Sequence, residues 1–193
     1  EREDARKAEE EQWKKAVDKV MRDSVRAHMQ ADVEVGAFLS GGVDSAYVAA
    51  LLSRENQEGG MEEEKEADKA YGKRAYTVGF ETDGCRYNEI SKAGQIAAEC
   101  GLRHKSRLIR EREFWEAVPE VLYYLDEPLG DASAVALYFL AREASREVKA
   151  VVSGEGADEL FGGYQIYCEP ASLRPYQLLP EAWRKAAAKL AER

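Results

Sequence analysis

The sequence predicts an α/β fold, a doubly wound and mostly parallel sheet with flanking helices. Three observations predict it. Apolar strand-like runs alternate with stretches of helical periodicity, the order that builds parallel sheets. Two glycine-rich turns, at residues 40–45 and 152–164, each follow an apolar strand-like run. The 193 residues are 45% hydrophobic and 34% charged, enough to bury one domain core under a solvated surface.

Residues 3–29 read as a helix, because Trp13, Val17, Val20, Met21, Val25 and Met29 recur at steps of three and four. Residues 33–39 read as a buried strand, and 44–54 as a helix with Tyr47, Val48, Leu51 and Leu52 on its inner face. Residues 55–74 carry charge and glycine with few apolar side chains, which reads as a solvated or disordered connection. A strand follows at 75–80, a helix at 86–100 and a strand at 103–109. A helix at 111–125 has Phe114, Trp115, Val118 and Leu122 as its expected core stripe. A helix at 133–147 leads into a short strand at 148–152, and a terminal helix is expected at 181–192.

Composition excludes several classes. A formal net charge of −9 leaves no basic face for nucleic acid. The Lys/Arg-bearing stretch at 103–112 is diluted by Glu111 and by Glu113 beyond it. No apolar run reaches membrane-spanning length, and no signal-like segment opens the chain. Cys85, Cys100 and Cys168 form no CxxC pair, and His28 and His104 have no second ligand at helical spacing. A zinc or disulfide framework is not expected; a reducing, cytoplasmic home is. A chain that opens on Glu1 is expected to be a fragment or a processed form.

The turn Leu39-Ser40-Gly41-Gly42-Val43-Asp44-Ser45 joins the first expected strand to the next helix. Gly41 and Gly42 allow close backbone approach, and the amides and dipole of a helix start favour an anion. Ser40 and Ser45 add hydroxyls. Asp44 would repel a phosphate unless a divalent cation intervened, and Mg²⁺ suits that position. The turn has neither the lysine of a Walker loop nor the GxGxxG of a dinucleotide site. A tight turn that merely caps a helix would not explain the acid at Asp44. The second turn, SGEGADELFGGY, gathers Glu155, Asp158 and Glu159 on a glycine-rich loop. Carboxylates so close repel one another without a cation, and a second metal-binding carboxylate among them, facing Asp44 across a cleft, would explain the cluster.

SGGVDS resembles the PP-loop of the ATP pyrophosphatase superfamily, of the adenine nucleotide α-hydrolase-like fold. With SGEGADELFGGY, the sequence is similar to the asparagine synthase family. YTVGFE at 76–81, YNEI at 87–90, GLRHKSRLI at 101–109 and DEPLGDASAVALYFL at 126–140 extend the resemblance from about residue 30 to about 168. The resemblance implies an organisation: residues 1–30 as a helix leading in, 31–168 as the PP-loop ATP-binding synthetase domain, and 169–193 as a helical segment cut short of the family's further helices. The family carries a lysine in that later region, and neither Lys185 nor Lys189 maps onto it.

The resemblance also implies roles. ATP and Mg²⁺ are the expected cofactors. Ser40, Gly41, Gly42 and Ser45 would hold phosphates, and Asp44 and Asp158 the metal. Leu39 and Val78 would contact adenine, with Ser153 and Gly154 along the nucleotide. Glu155 would be the catalytic acid–base group near the attacking amine, a role open to a carboxylate. Asp126, Glu127 and Asp131 would approach the acceptor substrate. The implied reaction adenylates a carboxylate, by default aspartate, releases pyrophosphate, and transfers ammonia to give the amide and AMP. Ammonia would come from a glutaminase domain or free solution, and a homodimer is the implied assembly. Two rivals stand beside it: a β-lactam- or peptide-cyclising PP-loop ligase, and an ATP-binding fragment without catalysis. The isolated chain is expected to be weak or inactive.

Overall fold

The computed structural model describes residues 2–58, 73–81, 89–127, 130–131, 133–168, 178, 180, 181 and 183. They fall into two compact units, Glu1–Gly154 and Glu155–Arg193. Each is taken by itself below.

The first unit is built on four parallel strands in the order β3-β2-β1-β4, where β1 is Val35–Phe38, β2 Arg74–Phe80, β3 Arg103–Ile109 and β4 Ala150–Val152. The chain moves outward from β1 to β2 to β3 and then returns to β4 on the other side of β1. The switch point of this open sheet therefore lies between β1 and β4, whose carboxyl ends carry both glycine-rich turns. Val35, Gly36 and Ala37 pair with Ala150, Val151 and Val152, so the two strands finish nearly level.

Helices α1 (Arg2–His28), α2 (Val43–Glu58), α3 (Ile90–Glu99), α4 (Glu111–Tyr124) and α5 (Ser133–Ala144) complete the unit. Leu39, Ala49, Ala75, Ala93, Ala97 and Leu102 knit β1 and β2 to α2 and α3. Ile109, Ala117, Val121, Val135 and Phe139 join β3 to α4 and α5. Each large buried side chain contributes about 1.5–3 kcal/mol of transfer free energy.

The β3 bounds agree with the sequence reading, and three helices depart from it. In α1 only the last turns pack, with Met21, Val25 and Met29 against Tyr47, Val48 and Leu51 of α2. Trp13 stays 67% exposed because it lies before the turns that pack, and Val20 66% exposed because it is off the face shared by Val17, Met21 and Val25. In α4 the buried stripe is Phe114, Ala117, Val118 and Val121, while Trp115 is 64% exposed and Leu122 lies at the rim. A stripe read at three- and four-residue steps is ambiguous by one position, and the small Ala117 fits under α5 where Trp115 would not. α5 ends at Ala144 rather than 147, and β4 is three residues long. The connection expected at 55–74 is shorter, since α2 runs to Glu58 and β2 begins at Arg74; residues 59–72 lie outside the described ones. So do the first residues of the helix expected from 86 and nearly all of the terminal helix at 181–192. Among the described residues no helix is long and apolar enough to cross a membrane.

Candidate active site

Leu39 directly follows β1, and both its backbone groups are held by β2. Its amide donates to the Tyr76 carbonyl at 2.9 Å, and its carbonyl accepts the Thr77 hydroxyl at 2.6 Å. His104 Nε2 lies 2.8 Å from that hydroxyl. The hydroxyl proton is committed to Leu39, so Nε2 donates and the imidazole holds the Nε2–H tautomer. Burial keeps this imidazole below its ordinary 6.5. The turn that follows thus starts from a fixed point.

The turn then folds onto itself. Ser40 N donates to Ser45 Oγ at 3.1 Å, the two hydroxyls lie 2.8 Å apart, and Gly42 N donates to Ser40 Oγ at 3.1 Å. Gly41 N donates to Glu89 Oε2 at 3.0 Å. α2 starts at Val43 with Asp44 in its first turn. Helix geometry leaves the amides of Val43, Asp44 and Ser45 without an acceptor inside α2. An anion at that end would gain from those amides and from the dipole. Asp44 is exposed, and among the described residues its carboxylate has no hydrogen bond or ion pair.

Ser153 and Gly154 leave β4 beside this turn. A Cβ built on Gly154 would lie 2.6 Å from Ser45 N and 2.8 Å from the Asp44 carbonyl carbon. Only glycine lets these two backbones meet. The expected neighbours Ser40, Gly41, Gly42, Asp44, Ser45, Ser153 and Gly154 therefore come together at the switch point. Leu39 is 2% exposed and Val78 is half-buried, and each packs in a different core cluster.

Glu155 and Asp158 belong to the second unit. There α6 (Ala157–Phe161) is bounded by Gly156 and Gly162, with φ of 87° and 70°, values that suit glycine. The Asp158 carbonyl accepts the Gly163 amide at 3.0 Å. A Cβ at Gly163 would stand 3.0 Å from Asp158 Cγ, so the carboxylate fills the space a side chain would take. The Tyr164 hydroxyl donates to Glu159 Oε1 at 2.9 Å, and that carboxylate pushes the phenol up to about 12.

The acidic residues expected near the acceptor have local duties. Asp131 accepts the Ser133 amide at 2.8 Å and the Ser133 hydroxyl at 2.7 Å at the start of α5, bonds that hold its carboxyl below the usual range. Asp126 turns the chain after α4 with φ 60°, and Glu127 N donates to the Leu125 carbonyl at 2.6 Å. An open groove lined by Glu81, Arg110, Arg112 and Trp115 lies beside α4 and is separate from the turn.

The donor set suits Mg²⁺. That ion takes one or two carboxylates plus phosphate oxygens rather than a protein cage, and Asp44 offers an uncommitted carboxylate beside the anion-favouring helix start. Among the described residues no group of three or more His, Cys, Asp or Glu side chains is gathered as a cage.

One residue escaped the sequence reading. Glu89 reaches Gly41 across 48 positions. Its only mark was its place in YNEI, inside a helix expected from residue 86.

A parallel sheet with an SGGVDS turn at its switch point defines an α/β domain of the PP-loop class. The family model described as asparagine synthase matches residues 16–193, and the chain belongs to the asparagine synthase family. A Mycobacterium bovis protein, named provisionally as a glutamine-hydrolysing asparagine synthetase, is 47% identical over 173 residues, 90% of this chain and 24% of that one. The glutamine-hydrolysing asparagine synthetase 1 of Bacillus subtilis is 39% identical over 92% of this chain and 26% of its own length. The chain thus spans about a quarter of the length of these relatives. The NH3-dependent NAD synthetase of Campylobacter jejuni matches with a TM-score of 0.45 and 18% identity over 79% of this chain and 62% of that one, a likeness that adds nothing to the assignment.

Proposed function

We propose that this chain is the ATP-binding synthetase portion of a glutamine-dependent asparagine synthetase. What supports this reading above all is the seat formed where Gly154 meets the Asp44–Ser45 peptide, in a chain of the asparagine synthase family. The substrate carboxylate, aspartate by default, attacks the α-phosphorus of ATP, and the bond to the β-phosphate side breaks to release pyrophosphate. The α2 amides and the Ser40 and Ser45 hydroxyls bind the departing phosphates. Mg²⁺ held by Asp44 and Asp158 would offset their charge. Ammonia then attacks the acyl carbon, AMP leaves, and Glu155 accepts a proton from the new amide nitrogen. Val78 would border the adenine, and Leu39, being buried, would shape that wall from behind. Asp126, Glu127 and Asp131 are the proposed approach to the acceptor. A glutaminase domain as ammonia source, a homodimer and a cytoplasmic home belong to the same proposal.

The test is calorimetric titration of MgATP into the wild type and into Asp44→Asn/Asp158→Asn. Mg²⁺-dependent binding is expected in the first and lost in the second, with the circular dichroism spectrum retained. Equal binding by both would refute the metal assignment. Pyrophosphate release across a panel of carboxylic acids then identifies the acceptor.

A further inference from the structure

Glu89 is the N-cap residue of α3, yet its side chain makes no cap bond to its own helix. It goes instead to the Gly41 amide, 3.0 Å away. Lys92, on the first turn of the same helix, lays its stem over the same residue. A Cβ built on Gly41 would lie 2.8 Å from Lys92 Cδ and 3.4 Å from Glu89 Cβ. The first turn of α3 is thus fitted to Gly41 by both a hydrogen bond and a close packing contact.

Gly41 is buried, and a buried amide needs an acceptor. Its neighbours Ser40 and Gly42 find theirs in the hydroxyls of the turn itself. Gly41 is the member of this trio whose acceptor comes from another element. A carboxylate is also the stronger kind of acceptor.

Resting on the reading of this turn as a phosphate loop, we propose that Glu89 is a positioning residue for nucleotide binding. Its carboxylate holds the Gly41 peptide, so the turn keeps its bound shape before ATP arrives. Without it the Gly41–Gly42 pair gains backbone freedom, which binding must then remove. The negative charge itself does not favour a phosphate nearby; the acceptor oxygen is what matters. Glutamine at this position keeps an oxygen for the Gly41 amide and removes the charge.

Two readouts on Glu89→Ala and Glu89→Gln test this. Amide exchange at Gly41, without nucleotide, is expected to speed up at least about tenfold in Glu89→Ala, while amides of β2 keep their protection. MgATP affinity is expected to weaken about tenfold in Glu89→Ala and to be restored to within about twofold in Glu89→Gln. A Glu89→Ala protein that binds MgATP as tightly as wild type, or more tightly, overturns the proposal; the tighter result would mean that the carboxylate occupies the phosphate's own seat. Failure of Glu89→Gln to rescue also overturns it. A wild type that binds no MgATP removes the nucleotide reading and this proposal together, which is a different result from equal binding by all three proteins.

Discussion

Gly154 lies backbone to backbone against Ser45, and a methyl group there would come within 2.6 Å of the Ser45 amide nitrogen. The Gly154 backbone is thereby fitted against the start of the helix that follows β1. Backbone atoms at the start of a helix cannot swing aside as a side chain would. Gly154→Ala is expected to cost about 1–3 kcal/mol of stability or to displace the first turn of α2, and to weaken MgATP binding in either case. Urea denaturation and nucleotide titration of the same variant check both effects. An alanine that is neutral in both would mean that the Gly154 and Ser45 backbones are free to separate.

Ser45 Oγ serves the Ser40 amide and the Ser40 hydroxyl at once. Ser45→Ala leaves the half-buried Ser40 amide without its acceptor. A loss of about 1–2 kcal/mol in urea denaturation is expected, with the slope unchanged because the exposed surface is the same.

His104 gives the fold a pH dependence with a definite sign. Burial lowers its folded value below the ordinary 6.5. Below pH 6.5 the unfolded chain therefore binds more protons than the folded one. Stability from this group is complete above that pH and declines on acidification, until the folded imidazole also takes its proton. Urea midpoints measured from pH 7.5 downward should fall more steeply for wild type than for His104→Gln, whose amide nitrogen can still donate to Thr77. Parallel profiles would assign the acid sensitivity to other groups.

Glu143 is 8% exposed and accepts from Arg107 at 2.8 Å and from Arg146 at 3.0 Å. Arg107 also reaches Glu113 at 2.8 Å and lies 4.9 Å from the centre of the Phe139 ring. Glu143→Ala should cost about 2 kcal/mol, since it deprives a half-buried guanidinium of its best-shielded partner. The double replacement Glu143→Leu with Arg107→Leu should recover much of that loss. Chemical denaturation of the two single leucine variants and the double checks this; a double loss equal to the sum of the single losses would mean that the pair does not couple.

The two glycine-rich turns, the alternation of strands with helices and the placement of β3 were legible in the residues themselves. Each is a local property: a turn needs its glycines, and a strand or helix needs its period, whatever surrounds it. The inner face of α2 was legible for the same reason, since Val48, Leu51 and Leu52 leave no other side for the core. Trp13 was misplaced because periodicity marks an apolar stripe without saying how far the neighbouring element extends along it, and Trp115 because the facing edge of a stripe is ambiguous by one position. Glu89 on Gly41, Gly154 on Ser45 and the Thr77–His104 anchor beneath Leu39 join positions 27 to 109 residues apart, farther than any local pattern spans. Those pairings depend on strand order and on the close approach of backbones, and only the packed chain sets either one.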